Sequence, residues 1–198
     1  MAMMVDHEAR KQEILRKSLA IFAEFGYPGL TYAQLAKRCG LARTTLYKYF
    51  SSKREIFDGA INLTVTELAK DFRDAVERQP ELSAAEKLEL VLQKVVRLLF
   101  ENSQLLQSIT EYLMEQRRQG EEVNRKVRRH TMALRRTITQ LLREGMEKGE
   151  FQEMRCDFIG DVLYGILEAA ALRVAVTDTA DFENMLKSCK VAIQALKK

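Results

Sequence analysis

The chain has 198 residues, 46% of them hydrophobic, with only two prolines and nine glycines. That is enough apolar side chain for one or two modest cores and too little turn chemistry for an all-β protein. No apolar run approaches the ~20 residues that a bilayer crossing needs. The start, MAMMVDHEARK, lacks the apolar stretch of a secretory signal. Three scattered cysteines and two histidines offer neither a disulfide framework nor a zinc constellation. The expectation is a cytoplasmic, all-α protein with no cofactor and no place in a membrane.

The net charge of +4 is unevenly placed: residues 1–60 hold ten Lys/Arg against six Asp/Glu, and residues 61–198 hold 22 of each. Positive excess confined to one module points to a polyanion partner, with plain solubility as the alternative.

Residues 8–25 read as a first helix, with Leu15, Leu19 and Phe22 on one face and Ile14, Ile21 and Phe25 widening the stripe. Gly26, Pro28 and Gly29 break it. In TYAQLAKRCG, Thr31 followed three positions later by Gln34 is a capping box that opens a second short helix, which Gly40 ends. A third helix spans about Ala42 to Tyr49, with Leu46 and Phe50 turned inward. Ser52 and Glu55 form a second capping box, opening a fourth helix over about 53–74. Two short helices joined by a tight glycine turn and braced by a preceding helix make a helix-turn-helix.

With Leu46 and Phe50 inside, the third helix leaves Arg43, Thr44, Thr45, Tyr47, Lys48 and Tyr49 outside. Arg43 can fork to a guanine edge, Thr44, Thr45 and Lys48 can reach bases, and the tyrosine hydroxyls can reach phosphates. Core packing is the alternative for Tyr47 and Tyr49. Lys53 sits in the first turn of a helix, where a cation costs roughly 0.3–1 kcal/mol. A phosphate at that helix start explains it, and an indifferent surface lysine is the alternative. Thr31 can offer its hydroxyl to a second phosphate.

LTYAQLAKRCGLARTTLYKYFSSKREIF resembles the DNA-binding signature of the tetracycline-repressor (TetR) family, carried by Thr31, Leu35, Ala36, Gly40, Leu41, Thr45, Leu46, Tyr47, Tyr49, Phe50, Lys53 and Phe57. The resemblance implies that Arg43, Thr44, Thr45 and Lys48 face bases, while Thr31, Tyr47, Tyr49 and Lys53 hold the backbone. Ala42 departs from the family's usual serine cap, at a cost of about 1 kcal/mol.

Helical patterns continue over about 83–100, 103–118, 122–147, 156–176 and 181–197. The third of these carries Val127, Leu134, Ile138, Leu141 and Leu142 on its apolar side, and the basic run RKVRRHTMALRR, which reads as a solvated face or else as an anionic-ligand site or an extra DNA contact. GMEKGEFQEMRCDFIGDVLYGILEAAALRVAV is also similar to the family. The last two helices are apolar on more than one side, which calls for a second copy of the chain as cover or for deep burial in a monomer. The resemblance implies a homodimer through those two helices and an effector pocket among the middle ones. Phe100, Leu106, Ile109, Tyr112, Met114, Met132 and Tyr164 are candidate lining residues there, though the same residues suit an ordinary core. Glu111 and Glu168 could anchor a cationic ligand or sit at the solvent edge. Cys39 reads as a buried structural thiol rather than a redox switch.

These features give about nine helices in two domains: residues 1–53 as a helix-turn-helix head, and residues 54–198 as a helical effector-binding and dimerisation domain. The function implied by the resemblance is transcriptional repression at a palindromic double-stranded DNA operator, relieved by a small molecule. An effector-independent architectural or cell-division factor with the same head is the alternative. No Ser-His-Asp set, carboxylate pair, phosphate loop or metal spacing suggests an enzyme.

Overall fold

The computed structural model describes the backbone of residues 2–120, 125–177 and 179–198, and the side chains of 7–120, 132–177 and 179–198. Val127, His130 and most of the basic run therefore lie outside the described side chains.

Among the described residues there are nine α-helices: α1 (Ala2–Phe25), α2 (Tyr32–Arg38), α3 (Arg43–Tyr47), α4 (Lys53–Glu77), α5 (Ala84–Glu101), α6 (Ser103–Arg118), α7 (Arg125–Glu147), α8 (Cys156–Leu172) and α9 (Phe182–Gln194). A single π-helical turn, Arg173–Thr177, continues α8. The described residues contain no strand, only an isolated antiparallel bridge between Phe151 and Lys197. None of their helices is long and apolar enough to cross a membrane.

The chain packs as two compact units, one of residues 1–67 with 104–126 and one of residues 68–103 with 127–198. This division by packing does not fall at 53/54. The first core needs more than the three head helices: α4 gives it Ile56, Phe57, Ala60 and Ile61, and α6 gives it Tyr112. α1 contributes Ile14, Leu15 and Phe22, and α2 and α3 contribute Leu35, Ala36 and Leu46, with Phe50 following α3. Its centre is aromatic: Phe22 meets Phe57 edge-on at 4.7 Å, and Tyr112 meets Tyr27 and Phe57 at 4.6 and 4.9 Å. Edge-to-face contact suits the ring quadrupoles, so these rings fill space and also fix one another's orientation.

The second core is built by α5 (Leu88, Val91, Leu92, Val95, Val96), α7 (Ile138, Leu141, Leu142), α8 (Leu163, Leu167, Ala170) and α9 (Met185, Cys189, Ile193). α5 starts with a complete capping box between Ser83 and Glu86. The Ala84 and Ala85 amides donate to the two oxygens of Glu150, 3.0 Å each, so a distant carboxylate satisfies two more free donors at a positive helix end. Gly145 on α7 lies so close to Phe151 that a Cβ there would overlap the ring. That contact needs glycine for space rather than for a turn.

Candidate nucleic-acid interface

The α2–α3 turn is held by backbone and cap. Thr31 accepts from the Gln34 amide at 3.2 Å, and its own amide donates to Gln34 Oε1 at 2.8 Å. The Thr31 hydroxyl also donates to Gln34 Oε1, so it is engaged in the cap itself. Gly40 adopts φ +73°, the left-handed conformation the sharp turn demands, and nothing crowds it within 4 Å. α3 begins at Ala42 with no side-chain cap, as the missing serine implies. The start of α4 departs from the expected box. Ser52 Oγ accepts from the Glu55 amide at 3.1 Å, but the Glu55 carboxylate bonds the Ser51 amide and hydroxyl, at 2.7 and 2.8 Å.

On this frame five of the eight expected DNA-facing residues are exposed: Thr31, Arg43, Thr44, Tyr47 and Lys48. Tyr47 is on the surface but seated. Its ring stacks on Tyr32 at 4.4 Å, and its hydroxyl accepts from Arg43 Nη2 at 3.2 Å. Tyr32 donates its hydroxyl to the Phe50 carbonyl at 2.7 Å, tying the start of α2 to the residues after α3. Burial pushes the Tyr32 phenol up to about 12, so it remains a donor.

Three expected contacts sit differently. Thr45 and Tyr49 are half-buried rather than fully outward. α3 stops at Tyr47, so Tyr49 leaves the chain from a turn, and its ring packs against the first core and stacks on His7 at 4.7 Å. Lys53 is also half-buried: its ammonium donates to the carbonyls of Tyr27 and Leu30, at 2.8 and 2.7 Å, and lies 4.2 Å from the Tyr27 ring centre. Those carbonyls lie in the turn between α1 and α2, and the lysine supplies them with donors. Two of its three donors thus brace the turn, and burial lowers its pKa.

The charges of this unit divide by partner. Arg10 and Lys17 pair with Glu13, Arg16 with Glu67, and Arg54 with Asp58. Among the described residues of this unit, Lys11, Lys37, Arg38, Arg43, Lys48, Lys53 and Arg117 have no carboxylate within ion-pair distance. Arg38 and Arg43 lie instead over aromatic rings, Phe25 at 3.6 Å and Tyr47 at 5.5 Å. Apart from Arg117 on α6, the unpaired cations lie on or around α2 and α3.

Two family models cover the chain: "Bacterial regulatory proteins, tetR family" over residues 14–60 and "YsiA-like protein, C-terminal region" over residues 57–190. The chain belongs to the TetR family. The fatty acid metabolism regulator protein of Bacillus subtilis (strain 168) is 25% identical over 150 residues, 76% of this chain and 75% of that protein. Among solved structures, a TetR regulator from Haloarcula marismortui superposes with TM-score 0.80 at 17% identity, over 96% of this chain and 100% of that one. The Bacillus subtilis FadR structure with stearoyl-CoA gives TM-score 0.71 at 20% identity, over 91% and 96%. At those identities the structural matches speak for the fold, and the family models carry the function: this TetR member is a DNA-binding transcriptional regulator.

The seven residues expected around an effector fall in both units of the TetR chain. Leu106, Ile109, Tyr112 and Met114 stand on α6 in the first, and Phe100, Met132 and Tyr164 belong to the second. Tyr112 is a core residue: its ring is buried between Tyr27 and Phe57, and its hydroxyl donates to Asp58 Oδ1 at 2.8 Å. Ile109 packs on that same core, and Phe100 meets Phe182 edge-on at 5.3 Å. Met114 and Met132 are exposed, as are Glu111 and Glu168, which take the solvent edge. Met132 lines a cleft of about 610 Å³ between α7 and α8 with Arg136 and the paired Arg135–Asp161 and Arg143–Asp157. Cys39 is buried beside Ser18, and burial raises its thiol pKa, which suits a packing role.

Tyr32, His7 and Lys11 were not legible as site residues. Their contacts join segments far apart in sequence, and such pairs leave no periodic trace.

Proposed function

We propose that this TetR regulator is a cytoplasmic homodimer that represses at a palindromic operator and is released by an amphiphilic small molecule. Residues 1–53 act as the DNA head and 54–198 as the effector and dimer domain. Arg43, Thr44, Thr45 and Lys48 meet base edges, while Thr31, Tyr47 and Tyr49 position the head on phosphates. The observation that carries the proposal is the cluster of unpaired cations around α2 and α3, beside a ladder of paired ones on α1 and α4. Cations without carboxylates suit a surface whose counter-charge arrives with a polyanion.

What supports the dimer is the outer face of the last helices. Phe158, Val162, Leu172, Val176 and Val191 are each more than half exposed. Phe158 and Val162 are one turn apart on α8, and Leu172 and Val176 one turn apart beyond them. A continuous apolar face of that kind asks for cover, and a second copy covers it symmetrically, setting two heads for successive major grooves about 34–36 Å apart. A long-chain acyl thioester is the effector class favoured here. The Bacillus relative regulates fatty acid metabolism by name, and its solved namesake holds stearoyl-CoA. Release then follows if the ligand prefers the dimer whose heads are wrongly spaced, with a coupling of about 1–3 kcal/mol.

The test is a salt-titrated binding assay on the DNA upstream of the gene itself, with wild type and Tyr47→Ala in parallel. Tight, salt-sensitive binding by wild type alone is expected, reversed by stearoyl-CoA and not by coenzyme A. Equal binding by both proteins contradicts the head assignment, and indifference to stearoyl-CoA contradicts the effector class.

A further inference from the structure

We propose that the DNA-contacting surface continues from α3 onto the first turns of α1, where His7 and Lys11 hold backbone phosphates flanking the bases read by α3. The inference rests on the reading of α2–α3 as the DNA head, and it adds residues outside the helix-turn-helix.

His7 is exposed, and its imidazole stacks on Tyr49 at 4.7 Å with the ring planes 25° apart. Lys11 is one turn further along the same side of α1, and its ammonium lies 5.3 Å from the centre of the Phe50 ring. This side of α1 therefore runs against the residues that follow α3. Its donors stand at Tyr49 and Phe50, one and two positions along the chain from exposed Lys48 at the end of the recognition helix. A position on the flank suits phosphates, which line the groove edges, rather than base edges inside the groove.

Charge pairing separates these two residues from the rest of α1. Arg10, Arg16 and Lys17 all hold carboxylates, but among the described residues Lys11 has none within ion-pair distance and His7 has only its ring contact. A helix that neutralises the cations on its other faces and leaves this one bare presents donors without acceptors. An imidazole N–H and an ammonium both match a phosphate oxygen. The aromatic seats also restrain both side chains before DNA arrives, so less rotamer freedom is lost on binding.

The experiment uses the full chain and a duplex isolated from a random library by selection on wild type. Affinity is measured from 50 to 300 mM KCl for wild type, His7→Phe, His7→Ala, Lys11→Met and, as a control in the exposed turn after α7, Lys148→Met. His7→Phe keeps the ring stack and removes the donors; Lys11→Met keeps the stem over Phe50 and removes the charge. Lys11→Met is expected to reduce the slope of log K against log salt by about 0.9, one phosphate, and to weaken binding about tenfold at low salt. His7→Phe is expected to weaken binding severalfold with an unchanged melting temperature, and Lys148→Met to match wild type. Wild-type affinity and slope in both His7→Phe and Lys11→Met overturn the proposal. Loss in His7→Ala but not in His7→Phe also overturns it for His7, leaving only a support for Tyr49. Failure of wild type to select any duplex is a different result: it removes the head reading itself, and this extension with it.

Discussion

The helix-turn-helix and the last two helices of the chain each leave something unmatched on the surface, and the two kinds of mismatch differ. Around α2 and α3 the unmatched groups are cations, three of them seated on aromatic rings: Arg43 on Tyr47, Arg38 on Phe25 and Lys11 on Phe50. On α8, the π turn and α9 they are exposed apolar side chains, from Phe158, whose ring lies under Arg155, to Val191. A bare cation costs little in water, so its placement records a partner's geometry rather than a deficit in stability. A bare apolar face costs free energy in proportion to its area, about 25 cal/mol per Å². On the proposed reading, the first surface meets DNA that comes and goes, and the second meets a second copy that stays.

The largest expected effect comes from breaking the frame beneath the head. Phe57 is fully buried and touches Phe22, Tyr27 and Tyr112. Phe57→Ala should cost about 3–5 kcal/mol, by lost transfer energy and a cavity, and remove DNA binding with it. Chemical denaturation followed by circular dichroism measures the loss; a cost below about 1 kcal/mol would mean the aromatic centre collapses to fill the gap.

The apolar face comes next. Val162→Asp puts a charge in the centre of the proposed dimer contact without touching either core. Light scattering should show a monomer, and operator affinity should fall about 100-fold or more, because two linked heads no longer bind as one. A stable dimer with wild-type affinity would assign this face to another partner.

Two substitutions then sharpen the division of labour within the head. Arg43→Ala should cost about 1–3 kcal/mol of operator affinity and relax sequence preference at one base pair, with stability unchanged. Lys53→Met should do the reverse, lowering stability by about 1–3 kcal/mol as two turn carbonyls lose their donor, while the salt slope of binding stays near wild type. A lost phosphate in the slope of Lys53→Met would restore that lysine to the DNA surface.

Lys53 also shows where sequence reasoning stopped. Every helix was legible and most of their ends to within a few residues, because capping at Thr31 and apolar periodicity are local signals, although α1 starts six residues before the expected position. The inward face of α3 was legible for the same reason. What a side chain does after its helix ends was not. α3 stops at Tyr47, so helical spacing no longer says where Tyr49 points, and its ring turns back to His7. Lys53 met the carbonyls of a turn more than twenty residues earlier, and Tyr112 met Asp58 across two helices. The division at 53/54 assumed that a motif is also a folding unit, whereas the aromatic core takes in half of α4 and one face of α6.

The smallest expected effect is alkaline, and it bears on both cores together. Burial raises the pKa of Cys39 and Cys189, and that of Tyr32 to about 12; burial and the bond to Asp58 raise that of Tyr112. Each of these folded-state values lies above the unfolded one, so the native state holds the proton more tightly. Their contribution is fully present below the unfolded values, about 8.5 for cysteine and 10 for tyrosine, and is lost as pH rises past them. Lys53 has the opposite sign, since its lowered pKa makes the unfolded chain the tighter proton binder as pH rises. Four groups act against one, so the melting temperature should be level through neutral pH and decline steadily from about pH 8.5 upward. Tyr112→Phe, which keeps the ring between Tyr27 and Phe57, should lower stability at neutral pH and flatten the decline above pH 10. If that variant declines as steeply as wild type, the tyrosine–aspartate bond does not contribute to the alkaline limit, and the loss belongs to the cysteines and Tyr32.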